Sequence, residues 1–149
     1  MRDPELRAGL VAAARNLKQV ASAQALIVLY ADMEDVLATV DEMIHPGFDE
    51  KDRARVRNDF LKTFGEWPIE ERQRYAHGQA YVALGYLLLS AQAMGYSTSP
   101  MLGFYPDKVK EVLGLPSHVT IPALVSIGRG DEPGFPHHRH SVERIARFR

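Results

Sequence analysis

The chain has 149 residues, 46% hydrophobic and 25% charged, with a formal net charge of −1 and no cysteine. That size and balance fit one globular domain, and the near-neutral charge lacks the basic footprint of a protein whose main partner is nucleic acid. Without cysteine there is no disulfide scaffold, thiolate metal site or thiol nucleophile, and the longest apolar run, 80–89, is too short to span a membrane. Met1-Arg2-Asp3-Pro4-Glu5 begins on charges and a proline, unlike a secretory signal, so a cytoplasmic location is expected.

Asp3-Pro4-Glu5 reads as an N-cap, a proline at the first helical position and a first-turn acid. Leu6, Leu10, Ala13, Ala14 and Leu17 continue at helical spacing, which predicts a helix over 4–18. The apolar run 25–31, from Ala25 to Ala31, does not alternate and predicts a strand covered on both faces. Residues 33–44 are weakly helical and stop at His45-Pro46-Gly47. From Asp49 to Lys62 mixed charges accompany Val56, Phe60 and Phe64, the pattern of a surface helix with one apolar stripe.

The strongest helical segment runs from Ile69 to Met94 and stops at Gly95. Its second half is apolar nearly all round, which predicts a helix buried in a core or subunit interface. Gly78 and Gly85 lie seven apart on one side, and close approach of another helix would offset their low propensity. A loop over 95–106, a short helix over 107–113 and a second strand over 119–127 follow. Pro122 within that strand suggests an edge position or a bulge. The expectation is one α+β domain over 1–149, richer in helix than in strand, with a small central sheet.

Three groups of residues are candidates for chemistry. The segment Gly95–Phe104 offers small residues, Pro100 and Gly103, where main-chain N–H groups can face an acceptor; an ordinary connection fits it as well. In His137-His138-Arg139-His140 neighbouring rings project apart and lack an i, i+4 His pair, which argues against a metal site. The Arg139 fork, with His137 as a second donor, suits a phosphate better; a solvated basic tail is the plain alternative. Phe60, Phe64, Trp67 and Tyr75 have core-like spacing, yet Phe64 and Trp67 sit near a helix break, where they could line a pocket for a flat ligand. A G-x-S-x-G elbow and a phosphate-binding G-x-x-x-x-G-K-[ST] loop are both lacking.

Read in order, five segments resemble the flavin-dependent nitroreductase family. They are Gly78–Leu84 leading through Leu88–Gly95, Ser99–Phe104, Val109–Pro116, Val125–Gly128 and Arg139–Ile145. The resemblance covers nearly the whole chain, with residues 33–67 the loosest part. It implies a homodimer of α+β subunits that holds flavin mononucleotide (FMN) at the interface, with the helix 69–94 in the dimer core. NADH or NADPH would reduce the flavin, which passes electrons to a nitroaromatic, quinone or similar small aromatic acceptor. No side chain would act as a separate catalytic group.

On the same resemblance Pro100, Met101, Leu102 and Gly103 would set main-chain amides against the isoalloxazine edge. Arg139, with His137 as a weaker and pH-dependent contact, would meet the flavin phosphate. Phe64 and Trp67 are the residues expected to line the acceptor pocket. The family's opening segments, an Arg-rich clamp, a Pro-Ser/Asn-rich stretch and a strand, have no counterpart before Asp3. A second reading follows from that difference: a truncated relative without flavin activity, acting as a dimerising or partner-binding domain. It would leave an unpaired sheet edge.

Overall fold

The computed structural model describes residues 3–130, 136 and 138–149. Helix α1 (Pro4–Ala13) starts as its sequence dictates: Asp3 Oδ1 accepts from the N–H groups of Glu5 and Leu6, at 2.8 and 3.2 Å. It does not run to residue 18. Arg15 and Asn16 both take positive φ, at 57° and 55°, so the chain turns before α2 (Lys18–Ser22). Arg7 bridges the break by donating to the carbonyls of Ala21 and Ala23 near the end of α2.

Strand β1 (Ala25–Ala31) follows, and then two short helices, α3 (Met33–Ala38) and α4 (Val40–Met43), where one weak helix was expected. Helix α5 (Glu50–Gly65) is capped by Asp49, and α6 (Ile69–Ala93) is the longest element. Next come strand β2 (Ser97–Met101), helix α7 (Pro106–Leu113), strand β3 (Thr120–Gly128) and α8 (Val142–Ile145). The expected loop 95–106 therefore contains a strand. Its Ser-Thr-Ser-Pro-Met sequence has weak strand character, and pairing with β3 supplies the geometry.

Among the described residues the strands form one antiparallel sheet in the order β1-β3-β2. So β3, despite Pro122, is the central strand. The proline is accommodated in two ways. β2 pairs no further along β3 than Met101↔Leu124, so the ladder beyond is one-sided. Between Leu29↔Ala123 and Ala31↔Thr120 the register shifts, leaving Ile121 and Pro122 opposite Tyr30 as a bulge. The expected bulge is present and the expected edge strand is not.

The bulge also sorts the core. Ile121 and Leu124 share a face although they lie three apart, because the extra residue restores the alternation. On that face Leu26, Met101 and Leu124 pack with Leu10, Ala13, Val20 and Val109 from α1, α2 and α7. On the opposite face Ala123 and Val125, with Ile27 and Leu29, pack against Leu84, Leu87 and Leu88 of α6. Both faces of the sheet are covered, as the unbroken apolar run of β1 requires.

Helix α6, expected in a core or a subunit interface, is covered on one side only by its own chain. Within the protomer it buries a stripe of Ala76, Ala80, Leu84 and Ala91. Tyr86 and Leu89 on its other side are 70% and 72% exposed. Among the described residues a Cβ built on Gly78 or Gly85 meets nothing within 4 Å, so no helix of the same chain approaches them closely.

Candidate functional site

The first candidate segment leaves the sheet at the end of β2. Pro100 pairs with Val125 and Met101 with Leu124, so alternation turns their side chains to opposite faces. Met101 is buried in the core, and its main chain is the part left to serve a ligand. Leu102 and Gly103 lie beyond the strand and are exposed, while Phe104 returns to the core and anchors the exit. Tyr105 N–H donates to Ala13 O at 2.9 Å, fixing the far end of the segment to α1. Among the described residues a Cβ on Gly103 would meet nothing within 4 Å. A short, doubly anchored backbone thus presents an open edge, where a flat ring can reach main-chain groups without meeting a side chain at Gly103.

The tail is placed differently. β3 ends beside the start of β2: Arg129 N–H donates to Gln24 Oε1 at 3.2 Å, and its guanidinium lies 5.4 Å from the Tyr96 ring centroid. Arg139 is exposed, and Nη1 donates to His138 O at 2.9 Å. Among the described residues no hydrogen bond or ion pair joins Arg139 to Pro100–Gly103. His137 lies outside the described residues. Among those described, no group of three or more His, Cys, Asp or Glu is placed to hold a metal.

The aromatic group does assemble. Phe64 is its centre, with ring centroids 4.6 Å from Phe60, 5.0 Å from Trp67 and 5.0 Å from Tyr75; Trp67 lies edge-on to Tyr75 at 5.8 Å. Phe60 is half-buried here, outside the two core clusters that flank the sheet. Trp67 also borders an open surface cavity of about 470 Å³, shared with Asp59, Lys62, Thr63 and Glu66. Phe64 stands behind Trp67 in the aromatic stack and does not line that cavity.

Sequence reasoning missed two polar contacts that hold this region. Arg72 of α6 pairs both arms with Glu34 of α3, Nε to Oε1 at 2.7 Å and Nη2 to Oε2 at 3.0 Å. His118, in the turn before β3, reaches Asp32 at the end of β1. The partners lie 38 and 86 residues apart, so no local spacing announces either pair.

A model described as the nitroreductase family matches residues 2–129. The chain belongs to the nitroreductase family. It is 44% identical to a Thermus thermophilus protein named NADH dehydrogenase, over all of this chain and 73% of that protein. A Bacillus subtilis protein named as an NAD(P)H nitroreductase is 26% identical, over 90% of this chain and 66% of its own length. Among solved structures, one from Exiguobacterium sibiricum, described as a nitroreductase in complex with FMN, superposes with a TM-score of 0.82. It is 25% identical, over 99% of this chain and 73% of that one. The chain thus spans 66–73% of the length of these relatives. The nitroreductase-like α+β fold and an oxidoreductase family are established by this agreement.

Proposed function

We propose that the protein is an FMN-dependent oxidoreductase that takes electrons from NADH or NADPH and delivers them to a flat aromatic acceptor such as a nitroaromatic or a quinone. The observation that carries this reading is the open, doubly anchored backbone at Pro100–Gly103, in a family with an FMN-bound relative. The residues present fit such a group: Gly103 leaves its face of the segment clear, and Phe104 and Tyr105 hold the segment still. When bound, FMN supplies the redox chemistry, accepting hydride from the nicotinamide and returning electrons to the acceptor.

The chain's own residues bind and orient. Main-chain N–H groups of Leu102 and Gly103 would stand where negative charge develops on reduction, and donors fixed in advance need no reorganisation there. Arg139 would meet the phosphate with its planar fork, and His137 would add a second, pH-sensitive donor. Trp67, backed by Phe64, would offer an aromatic wall to the acceptor. The side of α6 that leaves Val82, Tyr86 and Leu89 exposed among the described residues supports a homodimer built on that helix. Among the described residues no helix is long and apolar enough to cross a membrane, and the cytoplasm is the proposed location.

The deciding experiment is a visible-absorption titration of the purified chain with FMN. A perturbed flavin spectrum saturating near one per chain, with NADH oxidation that depends on p-nitrobenzoate or a quinone, supports the reading. A flavin spectrum that stays that of free FMN favours the partner-binding alternative.

A further inference from the structure

Helix α5 is held to the protein in an unusual way. Among the described residues none of its own side chains is buried, so apolar packing anchors it weakly. Its direct polar ties are peripheral: Arg57 to Asp41 at 3.1 Å between two exposed side chains, and Arg53 Nη1 to Ile44 O at 3.5 Å. The turn that joins α5 to α6, besides the stack of Phe64, Trp67 and Tyr75, is held by a largely covered cation. Arg72, whose side chain is 13% exposed, gives Nε and Nη2 to the Glu34 carboxylate and turns Nη1 to the carbonyls of Phe64, Gly65 and Trp67. One guanidinium therefore fixes the end of α5, the backbone that carries Trp67, and the start of α3.

We propose that the Glu34–Arg72 pair is the latch that sets the position of Trp67 and the end of α5, and through them the shape of the acceptor wall. Arg72 is a positioning residue: it touches the main-chain carbonyls of Phe64 and Trp67, whose side chains are the aromatic rings, and of Gly65 between them. The pair converges on this one turn because only a planar fork can serve a carboxylate and three carbonyls at once. A lysine in its place would keep the charge and lose the fork. The inference deepens the acceptor-wall reading of Trp67 and rests on it for its consequence in turnover. The latch itself rests on the hydrogen bonds alone.

The chain has one tryptophan, so Trp67 reports its own surroundings. The test compares Arg72→Lys and Glu34→Gln with the parent by tryptophan emission, acrylamide quenching and trypsin cleavage, with far-ultraviolet circular dichroism as the folding control. The latch predicts red-shifted emission, a quenching constant raised about twofold, and faster cleavage confined to residues 50–67, with helical signal retained, as expected of a locally released segment. Should Arg72→Lys fail to fold, Glu34→Gln, which keeps the shape and loses the charge, carries the comparison. Unchanged emission and quenching in a folded variant overturn the latch.

With FMN and NADH present, KM for p-nitrobenzoate should rise roughly two- to tenfold while kcat holds, the mark of lost ground-state contact. A released Trp67 with an unchanged KM overturns the acceptor wall, and with it the latch's role in specificity.

Discussion

His118 donates from Nε2 to Oδ1 of Asp32 at 2.9 Å, and that oxygen also accepts the N–H groups of Glu34 and Asp35 that begin α3. A carboxylate only accepts, so the ring proton sits on Nε2. Gln73 of α6 in turn donates to His118 O. The end of β1, the start of α3, the entry to β3 and α6 thus meet around one residue, His118, through its ring and its carbonyl. Replacing Asp32 by Ala removes the cap and the ring's partner together, and should lower stability by about 2 kcal/mol. His118→Ala keeps the cap and should cost about 1 kcal/mol. Urea unfolding of both variants checks the order.

Gly85 separates the protomer from the assembly. In the protomer its position is open among the described residues, so Gly85→Ala should strengthen α6 by up to about 1 kcal/mol. If another helix crosses there in a homodimer, the added methyl should weaken association. Sedimentation equilibrium beside thermal unfolding would show opposite signs; equal association in parent and variant would place the dimer contact elsewhere.

Arg139 should be the strongest single contributor to FMN affinity among the tail residues. A charge-assisted bond to phosphate is worth about 1.5–3 kcal/mol, so Arg139→Ala should weaken FMN binding tenfold or more. Riboflavin, which lacks the phosphate, should bind parent and variant alike. A flavin titration with both ligands distinguishes loss of a phosphate contact from general damage to the site.

Leu124 lies fully buried at the centre of β3, opposite Val28 and Met101. Leu124→Ala should cost about 2–5 kcal/mol, because three elements frame the cavity it leaves. Gly114, which ends α7 at φ 63°, should cost about 1 kcal/mol when changed to Ala. The contrast between the two, read in chemical denaturation, separates core packing from backbone geometry.

Local signals were legible where local chemistry decides. Asp3 caps α1 as its sequence advertises, and the helix expected over 107–113 ends at Gly114, which is left-handed. The break after α1 was hidden, since Asn tolerates positive φ but Arg15 carries no such mark. β2 was hidden because its strand geometry comes from a partner strand distant in sequence. In the site, Pro100–Gly103 stood out through its residue types and its place in an ordered set of segments. Glu34 and Arg72 looked like ordinary surface charges, and only the fold brings them together.

The two borders of the sheet are chemically unequal. β2 keeps its five ladder pairs across Pro100, so the N–H that proline lacks is missing from the outward side. β1 has seven consecutive residues without a proline or a charge, and Tyr30 at the bulge is its one exposed member. Any strand that lengthens this sheet meets a full row of donors and acceptors along β1 and a broken row along β2. Backbone chemistry alone therefore favours β1 over β2 as the edge that a further strand would join.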